Sequence, residues 1–462
     1  MVGIADYANM PQVLGGFGIS SQDEVGELTK ALNAGYDKQI GMTGGSALRV
    51  ESLETSLKVL TFQEKHFTFW KKVPKTPAYS TVEEYNILTE YGSEAGAFTT
   101  EGQLPETEDS SYKRMAGFIK FLGTTRQVTH PMSLARVAHG DVIALENRNG
   151  ILWIMRALER ALFHGNSKLG VGGSEYVEFD GIDNQIDSSN IVDAGGAALT
   201  EEMINEASEL VLQNYGVPTD IFMGFKPYKE IVDLYFPRQR VVLPGQEGMA
   251  AGVNLNVINT IGGRVNINTD VFLRPGETPP TSATSTKAPA APASIAVGTG
   301  AGTDGKWVEG TGSYEITATA CNQYGESTPC ASATITVSSA TDHYPITITN
   351  AASYPNGEKP SYYKIYLSEK GGSTMYFVKK VAAANDAASA TTTYNEIGDI
   401  VANSSTVYIG EMTPQVISFK QFAPLLKMDL ATIAPAYRWM ILLYGALFLY
   451  APKKWAKIVN IK

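Results

Sequence analysis

The sequence predicts an α+β fold interrupted by an inserted all-β sandwich domain. Three observations carry this. Apolar residues recur at helical spacing over 141–164 and again from residue 200, and two long, partly alternating segments flank a polar tip between Tyr79 and Leu122. At Pro275 the composition shifts to short alternating strands, and it returns to an α+β pattern only at Val407.

With 462 residues, 44% of them hydrophobic and 18% charged, the chain has material for a large core and for two or three structural units. A formal net charge of −10 argues against a dedicated nucleic-acid binder, whose footprint would be basic. The opening residues MVGIADYANMPQVLGGFGIS lack the charged and continuous apolar regions of a secretory signal, and two cysteines make no disulfide framework. The expectation is therefore a soluble protein made in a reducing cytoplasm.

Residues 1–55 are rich in glycine and polar residues with scattered apolar anchors, which predicts an arm stable only when packed on something else. Tyr79, Val82, Tyr85 and Ile87 on one side and Phe118 to Leu122 on the other bracket the polar stretch Gly92 to Ser111. That pattern predicts a long hairpin, which is marginal alone and needs a partner surface. Val142, Leu145, Leu152, Met155 and Leu162 predict a helix over Asp141 to His164, closed by Gly165 and about 36 Å long. Gly150 inside it is a candidate bend. Arg148, Arg156, Glu159 and Arg160 fall mostly on its other faces.

Thr200 reads as the N-cap of a second helix, with Glu201 and Glu202 in its first turn, Leu199 and Ile204 at staple positions and Gly216 as its end. A third helix is expected from Pro227 to Phe236, flanked by strand-like runs at Asp220–Met223 and Val253–Val271. The stretch PGETPPTSATSTKAPAAPAS is a linker without a core. Beyond it, strands are expected at 306–308, 313–321, 331–337, 344–349, 361–367, 375–381 and 390–394, the pattern of a small sandwich. The apolar block Trp439 to Tyr450 is twelve residues long, short of the roughly 20 that span a bilayer as a helix, and it is edged by Arg438 and Pro435. It is expected to be buried core.

No catalytic constellation emerges. Gly300 to Lys306 (GAGTDGK) approaches a phosphate loop, but Trp307 stands where Ser or Thr would hold magnesium, and the stretch lies between a Pro/Ala linker and a β-run instead of leaving a strand to open a helix. His66, His130, His139, His164 and His343 form no metal-ligand spacing; His164 suits a helix C-terminus. Glu101, Glu106, Glu108 and Asp109 read as a solvated or partner-facing hairpin tip. Strand parity puts Cys321 and Cys330 outward, as candidate neighbours on one exposed face. The terminal Lys453, Lys454, Lys457 and Lys462, interleaved with Trp455 and Ile458, are expected to end a strand and to meet solvent or acidic groups.

Several stretches resemble major capsid proteins of tailed phages with the Hong Kong 97-type fold. TFQEKHFTFWKKVPKTPAYSTVEEY is similar to the lead into their extended loop, and ALERALFHGNSKLGVGGSEYVEFDGIDNQI to their spine helix and the F-x-G-[IL] stretch, here Phe179 to Ile182. GEMTPQV and LLYGALFLYAPKKWAKIVNI resemble the closing segment of capsid proteins from large contractile-tailed phages of Staphylococcus and Bacillus. YEITATACNQYGES and YYKIYLSEKGGSTMYFVKKV are similar to fibronectin type III or immunoglobulin-like domains.

The resemblance implies an N-terminal arm (1–55), a peripheral domain starting at 56–76, an extended loop (77–128) and the rest of the peripheral domain with the spine helix (129–198). An axial domain (199–277), a linker (278–294), the insert (295–405) and a return to the axial and peripheral domains (406–462) follow. It implies a structural protein, not an enzyme, with no cofactor or metal. Hexamers and pentamers would assemble in the host cytoplasm into the icosahedral head of the virion, enclosing double-stranded DNA without reading its sequence. Further partners would be a portal and decoration or scaffolding proteins, with no membrane. On the extended loop, Tyr91, Phe98, Glu101, Lys113 and Arg114 are the expected subunit contacts. An encapsulin-type compartment shell and a surface adhesin are the alternatives.

Overall fold

The computed structural model describes residues 61–92, 98–104, 107–135, 140–235, 255–273, 276–432 and 434–462. The arm expected at 1–55 lies outside them, as does Glu106. The described fold is mixed α+β, with its helices and strands interleaved along the chain.

In chain order the first strands are β1 (Lys75–Pro77), β2 (Val82–Glu90), β3 (Ser111–Phe118) and β4 (Lys120–Thr129), followed by the long helix α1 (Val142–His164). Next come β5 (Ile191–Asp193), α2 (Glu201–Gln213), β6 (Asp220–Met223), α3 (Phe225–Tyr235), β7 (Val257–Thr260) and β8 (Gly263–Thr269). A β-rich stretch holds β9 (Ser294–Val297), β10 (Gly312–Asn322), β11 (Gly325–Glu326), β12 (Ala333–Val337), β13 (Tyr344–Thr349), β14 (Tyr362–Ser368), β15 (Met375–Ala382) and β16 (Thr391–Glu396). The chain closes with β17 (Ser405–Gly410), β18 (Ile417–Asp429), β19 (Ala436–Leu449) and β20 (Trp455–Ile461).

The apolar block near the C-terminus is β19, a central strand of the sheet β1-β18-β19-β4. Its Trp439, Ile441 and Leu443 alternate inward and pack with Ile154, Leu158 and Leu162 of α1. Burial of these side chains, at roughly 2 kcal/mol each, fixes helix on sheet. Asp141 caps α1, its Oδ1 accepting from the Ile143 amide at 3.0 Å. Gly150 does not bend the helix, which runs unbroken from Val142 to His164. A Cβ there would lie 2.6 Å from Ile441 Cδ1, so the glycine permits close helix–sheet approach.

A second sheet, β5-β20-β17-β6-β8-β7, gathers the other core with α2 and α3. Thr200 Oγ1 accepts from the Met203 amide as the N-cap of α2, and Leu199 and Ile204 are both buried. The third helix starts at Phe225, two residues before the expected Pro227, and Phe236 lies outside the described residues. The run expected as one strand over Val253–Val271 is the hairpin β7–β8.

β8 and β17 both pair with β6, so the chain leaves this sheet after β8 and re-enters it at β17. Between them, β10 pairs with β11, β12 and β14, and β14 with β15; β13 pairs with β9 and β16. The two sheets share a core that includes Trp307, Tyr314, Ile346 and Tyr363. The stretch expected as a strand at 306–308 is a turn, because the Trp307 ring fills that core while its Nε1 donates to Asp342 O at 2.9 Å.

Two further expectations fail. The Pro/Ala/Thr stretch is not a free linker: Asn356 donates to Thr286 O and Ala288 O, Asn322 to Lys287 O, and Ala288 is buried. Cys321 does not face solvent. It is 1% exposed against Leu169, Tyr176 and Tyr362, because the loop after α1 covers that face of β10. Burial pushes its thiol up to about 12, and both cysteines are free.

Candidate assembly surface

β2 and β3 form a two-stranded antiparallel ribbon that no third strand joins among the described residues. The ribbon is shorter than the extended loop expected over 77–128. After Ile119, whose amide donates to Thr81 O at 2.9 Å, the chain enters the core sheet as β4 and pairs with β19 along its length.

The base of the ribbon is anchored on one face. Tyr85 meets Tyr450 edge-on at 4.8 Å and Phe448 at 5.8 Å, and burial raises its phenol. Gly117 opposite Glu83 leaves room for the Phe448 ring, which an added Cβ would meet at 2.2 Å. Glu83 Oε1 accepts from the amides of Tyr79 (2.6 Å) and Ser80 (3.1 Å), fixing the entry turn.

Away from that base the ribbon is exposed on both strands. Of the expected contact residues, Tyr91 is 85% exposed and Phe98 fully exposed, and Glu101 and Lys113 also face solvent. Arg114 is exposed while reaching across to Glu84 (3.4 Å) and Asn86 (3.3 Å). Leu104 and Tyr112 add to the apolar surface. The structure thus brings the five residues onto one projecting element without joining them into a chemical site.

A second apolar strip lies on the outer face of the core sheet, opposite Trp439, Ile441 and Leu443. Its rows run Phe121–Tyr444–Ala423, Gly123–Leu442–Leu426 and Thr125–Met440–Met428 across β4, β19 and β18. Phe121 is 59% exposed and stands edge-on to Tyr444 at 4.9 Å. Sequence reading missed this strip, although the alternating apolar positions of β19 beside the buried ones signalled it.

The F-x-G-[IL] stretch positions the end of α1. The Gly181 amide donates to Gly165 O at 2.9 Å, and Phe179 and Ile182 are buried on either side. Added Cβ atoms would strike backbone: at Gly181 the carbonyls of Ala161 and Phe163 at 2.6 Å, at Gly165 the Phe179 carbonyl at 2.3 Å. Just beyond, Asp183 Oδ1 accepts from Lys457 Nζ at 2.9 Å and from Tyr408 OH at 3.2 Å, tying this crossing to β20 and β17. Of the other terminal lysines, Lys454 faces Glu411 at 3.8 Å and Lys462 pairs with Glu309 and Glu369.

Among the described residues no three or more His, Cys, Asp or Glu side chains converge as a metal site, and no helix is long and apolar enough to cross a membrane. The organised features are surfaces: a projecting ribbon, an apolar sheet face and a glycine-locked helix end. They suit a subunit that works by contact with other subunits. The family model of the SU10 major capsid protein matches residues 38–285, more than half of the sequence, and the chain belongs to that family. It is a phage major capsid protein that forms the capsid shell.

The putative major capsid protein of Enterococcus phage phiEF24C is 27% identical over 445 residues, covering 94% of this chain and 95% of that protein. The major capsid protein of Staphylococcus phage S25-3 is 26% identical over 455 residues, with the same shares covered. Among solved structures, the capsid of a native GTA particle overlaps 92% of this chain and 100% of that one, with 9% identity and a TM-score of 0.48. The holo-SrpI encapsulin complex of Synechococcus elongatus PCC 7942 overlaps 90% and 94%, with 10% identity and a TM-score of 0.44.

Proposed function

We propose that the chain builds an icosahedral head as hexamers and pentamers of a Hong Kong 97-type subunit, by laying its ribbon across the neighbouring copy. The observation that carries this is the ribbon itself. An isolated two-stranded hairpin is marginally stable in water, and this one exposes Tyr91, Phe98, Leu104 and Tyr112 instead of burying them on its own chain. The apolar strip Phe121–Leu442–Met440 on a second copy is a surface of matching chemistry. Tyr91 and Phe98 supply apolar contact there, and Glu101, Lys113 and Arg114 supply polar contacts at its edge.

In this reading the ribbon is the extended loop, α1 the spine of a peripheral domain, and the sheet with α2 and α3 an axial domain. Residues 295–405 are an immunoglobulin-like insert. The shell encloses double-stranded DNA without base-specific contacts, meets a portal and decoration or scaffolding proteins, and assembles in the host cytoplasm. Sedimentation and negative-stain microscopy of the protein purified alone test this: fast-sedimenting closed shells are expected. A compact monomer at every concentration contradicts it.

A further inference from the structure

Glu159 is the one charged residue of α1 that is wholly buried. Its Oε1 accepts from the Phe69 amide at 2.8 Å and its Oε2 from the Trp70 amide at 3.1 Å, the first amides of the short helix Phe69–Lys72. Asp270, just past β8 and also fully buried, lies close enough to Glu159 to act on its carboxyl. It accepts in addition from Thr68 Oγ1 at 2.5 Å and from the Phe272 amide at 2.7 Å. Two carboxyl groups from distant parts of the chain therefore meet in the interior and jointly hold residues 68–70.

Among the described residues neither carboxyl has a cation within ion-pair distance, and the Lys75 charge acts on Glu159 only from beyond it. The nearby basic groups have other engagements. Lys75 Nζ donates to Trp70 O at 2.8 Å and lies over the Trp70 ring, and Lys72 is paired with Asp220 at 2.5 Å. Arg156, on the same helix, stacks over Phe62, and Arg160 stands beside Arg156 and Glu277. Burial and the Asp270 carboxyl beside it both disfavour charge on Glu159, so the closed arrangement favours the protonated form of Glu159.

We propose that Glu159 and Asp270 form a proton-controlled latch, which keeps the segment Thr68–Lys72 seated on α1 only while Glu159 carries a proton beside Asp270. The aromatic cluster Phe62, Phe67 and Phe272 flanks the latch, so its opening loosens the packing of residues 61–72 against the end of β8.

Burial first, and then the Asp270 carboxyl beside it, raise the Glu159 carboxyl from 4.5 to about 8, against the opposing pull of the two amide bonds. The closed latch thus keeps a proton that the opened, hydrated segment releases. Its strength is full below about 4.5 and is lost as pH rises towards about 8, above which it levels off.

Amide hydrogen exchange of the full-length chain from pH 4.5 to 9, corrected for the intrinsic chemical rate, tests this. Protection of Phe69–Lys72 is expected to fall by up to about tenfold per pH unit until about 8, while that of α2 stays level. Glu159→Gln keeps the size of the side chain without the titrating proton, giving up one of the two amide bonds, and is expected to abolish the slope. Asp270→Asn removes the like charge and is expected to bring the levelling-off to lower pH. A flat wild-type profile, an unaltered slope in Glu159→Gln, or an unmoved plateau in Asp270→Asn overturns the latch.

Discussion

Gly181→Ala is expected to be among the most damaging single substitutions in the chain. The new methyl group would lie 2.6 Å from two carbonyl oxygens at the end of α1 and 2.7 Å from the Gly165 amide. All three are backbone atoms, fixed by helix hydrogen bonds and by the Gly181–Gly165 bond, so no side chain can swing aside. Either the helix end or the crossing segment must move, and with it the buried pair Phe179 and Ile182 and the Asp183–Lys457 link. A destabilisation of about 3 kcal/mol is expected, at the upper end for overpacking. Thermal unfolding and soluble yield measure it. Val177→Ala, at a half-exposed position in the same loop, should stay within about 0.5 kcal/mol of the parent. A Gly181→Ala protein as stable as Val177→Ala would show that the crossing tolerates a side chain.

The double substitution Tyr91→Ser with Phe98→Ser is expected to separate folding from assembly. Both rings project from the ribbon and bury almost nothing on their own chain, so the unfolding midpoint should be almost unchanged. If the rings bury on a neighbour, each contact contributes on the order of 2 kcal/mol. A closed shell repeats that contact at every subunit interface, so its loss is multiplied over the whole particle. The expected result is a folded protein that sediments as small oligomers where the parent forms shells. Shells in normal yield would remove these two residues from the interface.

Much of the frame was legible because it depends on local signals. Asp141 and Gly165 bracket α1 with an N-cap and a helix-stopping glycine, and Thr200 sets α2 in the same way. The last apolar block was readable as core from its length and from Arg438 and Pro435 at its edge. Other features depend on parts of the chain remote in sequence. Nothing between Phe118 and Leu122 punctuates the alternation, so the passage from ribbon to core sheet at Ile119 leaves no turn signal. The parity that sent Cys321 outward was sound for one sheet, but the loop carrying Leu169 and Tyr176 covers the second face. The Pro/Ala/Thr stretch lacks apolar side chains of any size, and Asn322 and Asn356 nonetheless hold its backbone.

Glu159 was the costliest omission. Grouped with the arginines on the other faces of α1, it lies instead between Met155 and Leu162 at helical spacing, on the buried stripe. A lone carboxylate in that register, with Asp270 far off in sequence, could be read as buried but not as partnered.

A density map of particles assembled from this chain would locate the ribbon directly. Closed shells are expected in which β2 and β3 of each subunit lie across the Phe121–Leu442–Met440 face of a neighbour, with Tyr91 and Phe98 buried between the copies. Shells in which that face is bare and the ribbon packs only on its own chain would contradict it.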